Sequence, residues 1–180
     1  MRTFPHMSSR RPIRPGIRAG GAPEHEAGPL SPDALREAFS RWASGVTVVA
    51  VRDEPHVAAI TATAFVPVSI VPPLVLVCIG VNASVLPLLE PGARFGISIL
   101  SEQQRRIASV FADTGPLGRE HLEQEGEPLV IGAPVAMACI VRDVHDGGDH
   151  AIVVAKIIRL VLGDDAPPLL YHGREYRRLQ

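Results

Sequence analysis

The sequence predicts a mainly β domain, an antiparallel barrel with short helices over its ends. Six or seven apolar, β-branched runs follow one another through short turns. Only two or three short segments carry a helical period. The strands do not alternate with helices as βαβ units do, and neither G-x-G-x-x-G nor a P-loop sequence occurs.

Ser31-Pro32-Asp33 opens the first element. It joins a capping hydroxyl, a proline at the first helical position and an acid at the positive helix end. Leu35, Ala38, Phe39 and Trp42 then share one apolar face, and Gly45 can close the helix. Val46–Val51 reads as a strand and 52–55 as a turn.

Residues 56–79 organise the chain. They read as two strands joined by a Pro72-Pro73 corner, since neither proline can donate to a ladder. The first strand carries the small, hydroxylated run Thr61-Ala62-Thr63-Ala64. Small residues admit a close approach to the backbone, and the hydroxyls offer hydrogen bonds, which suits a flat ligand with a polar tail. The alternative is a plain barrel hairpin with a tight corner. Leu74–Ile79 is continuously apolar, as in a strand buried on both faces.

A loop over 80–84 leads to a short helix at 85–89, then a strand at 94–100. Ser101-Glu102-Gln103-Gln104 has the form of a capping box and opens a helix whose Ile107, Ala108, Val110 and Phe111 face the core. Residues 113–134 are rich in Gly, Pro and acid, the mark of an irregular excursion that often serves as a lid or partner contact. Two long strands, 134–144 and 150–162, flank the VHDGGDH turn. A last short strand covers 168–172, and 174–180 reads as a basic tail.

At 180 residues, 46% hydrophobic and 21% charged, the chain supports one globular domain over 31–180. Residues 1–30 hold five Arg and five Pro without apolar period and read as a disordered leader, faintly like a transit peptide, with Met7 as an alternative start. The net charge of −1 argues against a nucleic-acid binder. No apolar run reaches the ~18–20 residues of a membrane helix. Cys78 and Cys139 sit in apolar runs and read as reduced, buried residues of a cytoplasmic protein.

No G-x-S-x-G elbow, H-x-x-x-H pair or CxxC occurs, so no metal is expected. His145 and His150 flank DGGD, which reads as a Gly-Gly hairpin rather than a metal site. It places His150 at a strand start by a pocket mouth, able to position a phosphate, amide or cofactor. Asn82 and Ser84 suit an anion or simple capping. Phe65, Phe95 and Trp42 read as core before ring contacts. Tyr171 and Tyr176 bring phenols near the chain end, for a cofactor or for surface packing.

Several pieces together resemble one family. They are Trp42–Val49, Thr61–Phe65 with Val68-Ser69, Pro72–Val75, Asn82-Ala83-Ser84, Phe95 through Ser101, Gly148-Asp149-His150 and Pro168–Tyr171. In order and spacing they are similar to the flavin reductase-like family of the FMN-binding split barrel, across roughly 34–176. The resemblance implies a split β-barrel, Greek-key-like and antiparallel, working as a homodimer. It also implies FMN or FAD as flavin, NADH or NADPH as hydride donor, and a flavin-dependent monooxygenase as the consumer of free reduced flavin. The implied cofactor-binding residues are Thr47, Thr61, Ala62, Thr63, Ala64, Phe65, Ser69, Asn82, Ser84, Phe95, Gly148, Asp149, His150 and Tyr176. His150 is also the implied catalytic residue, placed at the nicotinamide. Ala64 stands where the family usually has Ser, and Val66-Pro67 replaces a small polar pair.

Two other readings stay open. One is a flavoprotein of this fold that holds its flavin tightly and acts on its own substrate. The other is a non-catalytic flavin-binding module.

Overall fold

The computed structural model describes residues 30–112 and 118–179. The leader, except Leu30, and the start of the 113–134 excursion lie outside the described residues. In chain order the elements are α1 (Pro32–Ser40), β1 (Ser44–Gly45), β2 (Thr47–Asp53), β3 (His56–Ala62), β4 (Phe65–Ser69), β5 (Leu74–Gly80), β6 (Arg94–Ile99), α2 (Arg105–Ala112), β7 (Val135–Asp146), β8 (His150–Leu162), β9 (Leu170–His172) and β10 (Glu175–Arg177). Single 3₁₀ turns cover Leu86–Leu88, Glu102–Gln104 and Arg119–His121.

Seven strands form one antiparallel sheet in the order β3-β2-β6-β7-β8-β5-β4. The chain passes directly from β3 to β4, yet these strands are the sheet's two edges. The sheet must therefore roll until the edges meet at Thr63-Ala64. There the Ala64 carbonyl accepts from the Cys78 N–H at 3.0 Å. Residues 56–79 thus hold three strands rather than the expected two. Thr61 and Ala62 end β3 as expected, whereas Thr63-Ala64 is not strand but the corner where the barrel closes.

Rolling separates two apolar layers. Val49, Val51, Val75, Val77, Ile79, Phe95 and Ile97 fill the barrel interior. Val46, Val48, Ala50, Leu100, Ala108 and Phe111 pack on its outer face. β2 serves both, and Thr47 to Val51 are all buried, as expected for a strand covered on two sides. The Ser101 capping box is formed, with Gln104 Oε1 accepting from the Ser101 N–H at 3.1 Å.

The described part of the excursion, residues 118–134, belongs to this outer layer rather than forming a lid. Leu122, Leu129, Val130 and Ala133 are buried in it. Val130 N–H donates to Ser98 Oγ at 2.9 Å, and Arg94 Nε donates to Glu127 Oε1 at 2.6 Å. Burial works to raise the Glu127 carboxyl, but the Arg94 hydrogen bond and charge hold it below its ordinary value. Burial, with the Glu127 charge, pushes the Cys139 thiol up to about 12, so it stays protonated and inert.

Three further expectations change. The first helix is capped by Ser31 Oγ, which accepts from the Ala34 N–H, but it ends at Arg41. Gly45 instead pairs with Leu170 in the sheet β1-β9-β10. The apolar face of α1 is largely uncovered among the described residues, with Phe39 71% and Trp42 77% exposed and no residue of the helix fully buried. The basic tail folds back as β10, through a turn in which Gly173 and Arg174 both take positive φ (62° and 64°). Such a turn matches the twist of the strands it joins, and Gly supplies half of it without strain.

Candidate functional site

β3 is an edge strand, so alternate N–H and C=O groups along its outer side face no neighbouring strand. A groove of about 820 Å³ runs along this edge. Its walls include Thr61 and Thr63 from the β3 corner, Asn82, Ala83 and Ser84 from the loop after β5, Phe111 and Ala112 from the end of α2, and Tyr171 and Tyr176 from the β9–β10 hairpin. Asp53 and His56 also line it.

Each wall has a local cause. Thr61 Oγ1 donates to the Ala108 carbonyl at 2.7 Å, which docks α2 against β3 and leaves the oxygen's lone pairs to the groove. The 82–84 loop is held by Val81 N–H donating to Asp149 O (3.1 Å) and Ala83 N–H donating to Gly80 O (2.9 Å). Tyr171 and Tyr176 are cross-strand partners, edge to face at 5.7 Å between ring centres and 64° between planes. The side chains of Thr63, Asn82 and Ser84 have no hydrogen-bond partner among the described residues.

That set fits a flat heterocycle carrying a hydroxylated, phosphorylated tail. Neutral donors and acceptors without internal partners stand beside aromatic rings and an open strand edge. The volume falls within the ~300–1,000 Å³ of small-molecule sites.

The expected site residues therefore divide. Thr61, Thr63, Asn82, Ser84 and Tyr176 meet in the groove. Gly148, Asp149 and His150 lie beside it. His150 pairs in register with Gly80, so the β7–β8 hairpin abuts the 81–84 loop. In that hairpin Asp146 Oδ1 accepts from the Gly148 N–H, which makes it a turn element. Asp149 Oδ1 lies 2.7 Å from His150 Nδ1, and this hydrogen bond, with the imidazole's charge, holds the Asp149 carboxyl below its ordinary value. Both side chains are substantially exposed.

Thr47, Ala62 and Phe95 are buried and present no surface to a ligand. Thr47 Oγ1 donates to the Ala62 carbonyl at 2.8 Å and so staples β2 to the β3 corner. Phe95 fills the barrel interior because its position in β6 faces inward. Phe65 and Ser69 line a different, apolar cavity of about 500 Å³ with Pro67, Ile70 and Leu160. Ala64 is exposed at the corner. Phe111 and His56 in the groove were not foreseen. The pairing of Tyr171 with Tyr176 was signalled by two tyrosines placed symmetrically about His172-Gly173-Arg174-Glu175.

This geometry can be set beside known proteins. Residues 39–180 match the family model described as "Flavin reductase like domain". The chain is 41% identical over 147 residues to a Thermus thermophilus protein named 4-hydroxyphenylacetate 3-monooxygenase, reductase component. That alignment covers 82% of this chain and 96% of that protein. It is 37% identical over 163 residues to a Rhodococcus NADH-dependent flavin reductase, covering 86% and 92%. Among solved structures, it superposes on a Streptomyces globisporus NADH:FAD oxidoreductase in complex with NAD and FAD fragments. The TM-score is 0.74 at 30% identity, with 86% and 98% of the two chains covered. Sequence and overall fold agree over the matched residues, and this protein belongs to the flavin reductase-like domain family.

Proposed function

We propose that the protein is an NAD(P)H:flavin oxidoreductase. It moves a hydride from NADH or NADPH to FMN or FAD, and the reduced flavin serves a separate flavin-dependent monooxygenase. The observation that carries this reading is the groove, in a chain that aligns with flavin reductases over nearly their whole length. The flavin, when bound, supplies the hydride acceptor for the nicotinamide donor.

The chain's share is placement. Thr61 and Thr63 serve the ring and its polyol tail, and Asn82 and Ser84 a phosphate. His150, braced by Asp149 beside the 81–84 loop, orients the nicotinamide. Hydride transfer needs no acid or base at the transferred atom. Pro67 lies on edge strand β4 and lines the other cavity, so its missing N–H takes nothing from the groove. Asn82 and Ser84 are exposed, which suits a flavin that exchanges with solution.

Absorbance at 340 nm, with NADH or NADPH and added FMN or FAD in air, tests this. Oxidation that needs added flavin is expected, and His150→Ala lowers it roughly 10–100-fold, the cost of a misplaced reactant. No oxidation with any of the four pairs overturns the reading.

The same reading includes a homodimer. Val66, Val68, Ile70 and Val71 are exposed at β4 and the turn after it, and Ile158, Leu160 and Leu162 at the end of β8, where that strand runs past β5. Ile70 is 87% and Leu162 72% exposed. Monomers rarely leave so contiguous an apolar face uncovered, whereas homodimer interfaces are built from such faces. Sedimentation should show a dimer that Ile70→Glu with Leu160→Glu converts to monomer. A monomeric parent protein rules the dimer out. Among the described residues no helix is long and apolar enough to cross a membrane. Both cysteines are unpaired, in keeping with work in the cytoplasm.

A further inference from the structure

We propose that Arg105 is the anion anchor of the groove and holds a nucleotide phosphate, so that it selects phosphorylated cofactors. The inference rests on the reductase reading of the same groove. Arg105 opens α2, and its guanidinium carbon lies 5.9 Å from the centre of the Tyr176 ring, which lines the groove. A guanidinium over an aromatic face is held in place while its N–H fork stays able to donate, and that fork matches phosphate oxygens.

The surface charge pattern points the same way. Arg36, Arg41, Arg52, Arg94, Arg142 and Arg159 each lie within 4.0 Å of a carboxylate. Among the described residues Arg105, Arg106, Arg119, Arg174 and Arg178 do not. Arg119 donates instead to the Pro55 carbonyl at 2.9 Å. The other four belong to the start of α2 and to the β9–β10 hairpin with the residue after it, and these elements meet at Tyr176. Their neighbour Arg177 is engaged by Glu175 at 2.9 Å. Among the described residues, arginines over much of the surface thus face a carboxylate, while four of the five without one lie at the two elements that meet at Tyr176, beside the groove. Thr63, Asn82 and Ser84 are neutral and can orient a sugar or phosphate, but they cannot offset its charge. Asp53, also on the groove wall, repels an anion at its own position. The charge of a phosphate is therefore offset by Arg105, held beside the Tyr176 ring. That phosphate comes from the flavin nucleotide or from the nicotinamide dinucleotide.

Fluorescence titrations of riboflavin, FMN and FAD, with calorimetry for NAD⁺, test this on the whole protein. The parent protein should bind FMN or FAD about tenfold more tightly than riboflavin, a difference that shrinks with salt. Arg105→Met should abolish that difference with the riboflavin Kd held within about twofold, and Arg105→Lys should restore part of it. If the flavin difference survives while NAD⁺ weakens about tenfold in Arg105→Met, the anchored phosphate is that of the nicotinamide dinucleotide. Unchanged affinities, or riboflavin weakened as much as FMN, overturn the proposal and leave Arg105 as packing for Tyr176. A parent protein that binds neither flavin nor NAD⁺ overturns the reductase reading as well.

Discussion

Phe95→Ala should cost about 3–5 kcal/mol of folding free energy, a large share of the ~5–15 kcal/mol that holds a domain together. Phe95 is fully buried in β6, inside the barrel among Val49, Ile97 and Cys139. Its strand is paired on both sides, with β2 and β7, so the backbone cannot close on the void. The lost ring therefore counts twice, as transfer from water and as cavity. The resemblance to known reductases had placed Phe95 at the flavin, and the same variant separates the two roles. Denaturant unfolding should show the full loss, with flavin affinity of the folded fraction within about twofold of the parent. A normal unfolding midpoint with flavin affinity down more than about tenfold would return Phe95 to the site.

Gly96→Ala, one residue on, should cost about 3 kcal/mol by the opposite mechanism, overpacking. A Cβ at Gly96 would stand 2.5 Å from the Pro128 carbonyl oxygen and 2.8 Å from Leu129 Cδ2. The oxygen belongs to a segment fastened on both sides, by Arg94 to Glu127 and by Ser98 to Val130. It has little room to retreat without giving up one of these bonds. Thermal unfolding should fall by roughly 6–12 °C for a domain of this size. A shift under about 2 °C would mean that the excursion is loosely laid on the sheet, as a lid would be.

The contrast between these two neighbours shows what was legible in the sequence. Alternation along 94–100 announced a strand, and a strand it is. Nothing local told that Phe95 faces the barrel interior while Gly96 lies under the excursion. Thr61, Thr63, Asn82 and Ser84, which the structure brings into one groove, were legible as candidates because small and polar groups have little reason to occupy a corner and a loop beside apolar strands. Tyr176 was legible only as a phenol near the chain end, for a cofactor or for surface packing. Thr47 and Ala62 were drawn in by proximity in sequence to the same motif, and the pairing of β2 with β3 buries both. Arg174–Gln180 read as a tail because Gly-Arg lacks the usual Asn-Gly signature of a tight hairpin.

The sequence by itself determined the elements whose causes lie within a few residues. These are the Ser31 cap, the 101–104 capping box, the Gly147-Gly148 hairpin and the run of antiparallel strands. Hydrogen bonds and side-chain periods at short separation set them, and short separations are visible along the chain. The tertiary structure alone decided that β3 and β4 are opposite edges of one rolled sheet. It also decided that the corner joining them, the 82–84 loop, the end of α2 and the Tyr171–Tyr176 pair share one groove. Those neighbours are far apart in sequence, and their meeting depends on the register of all seven strands at once.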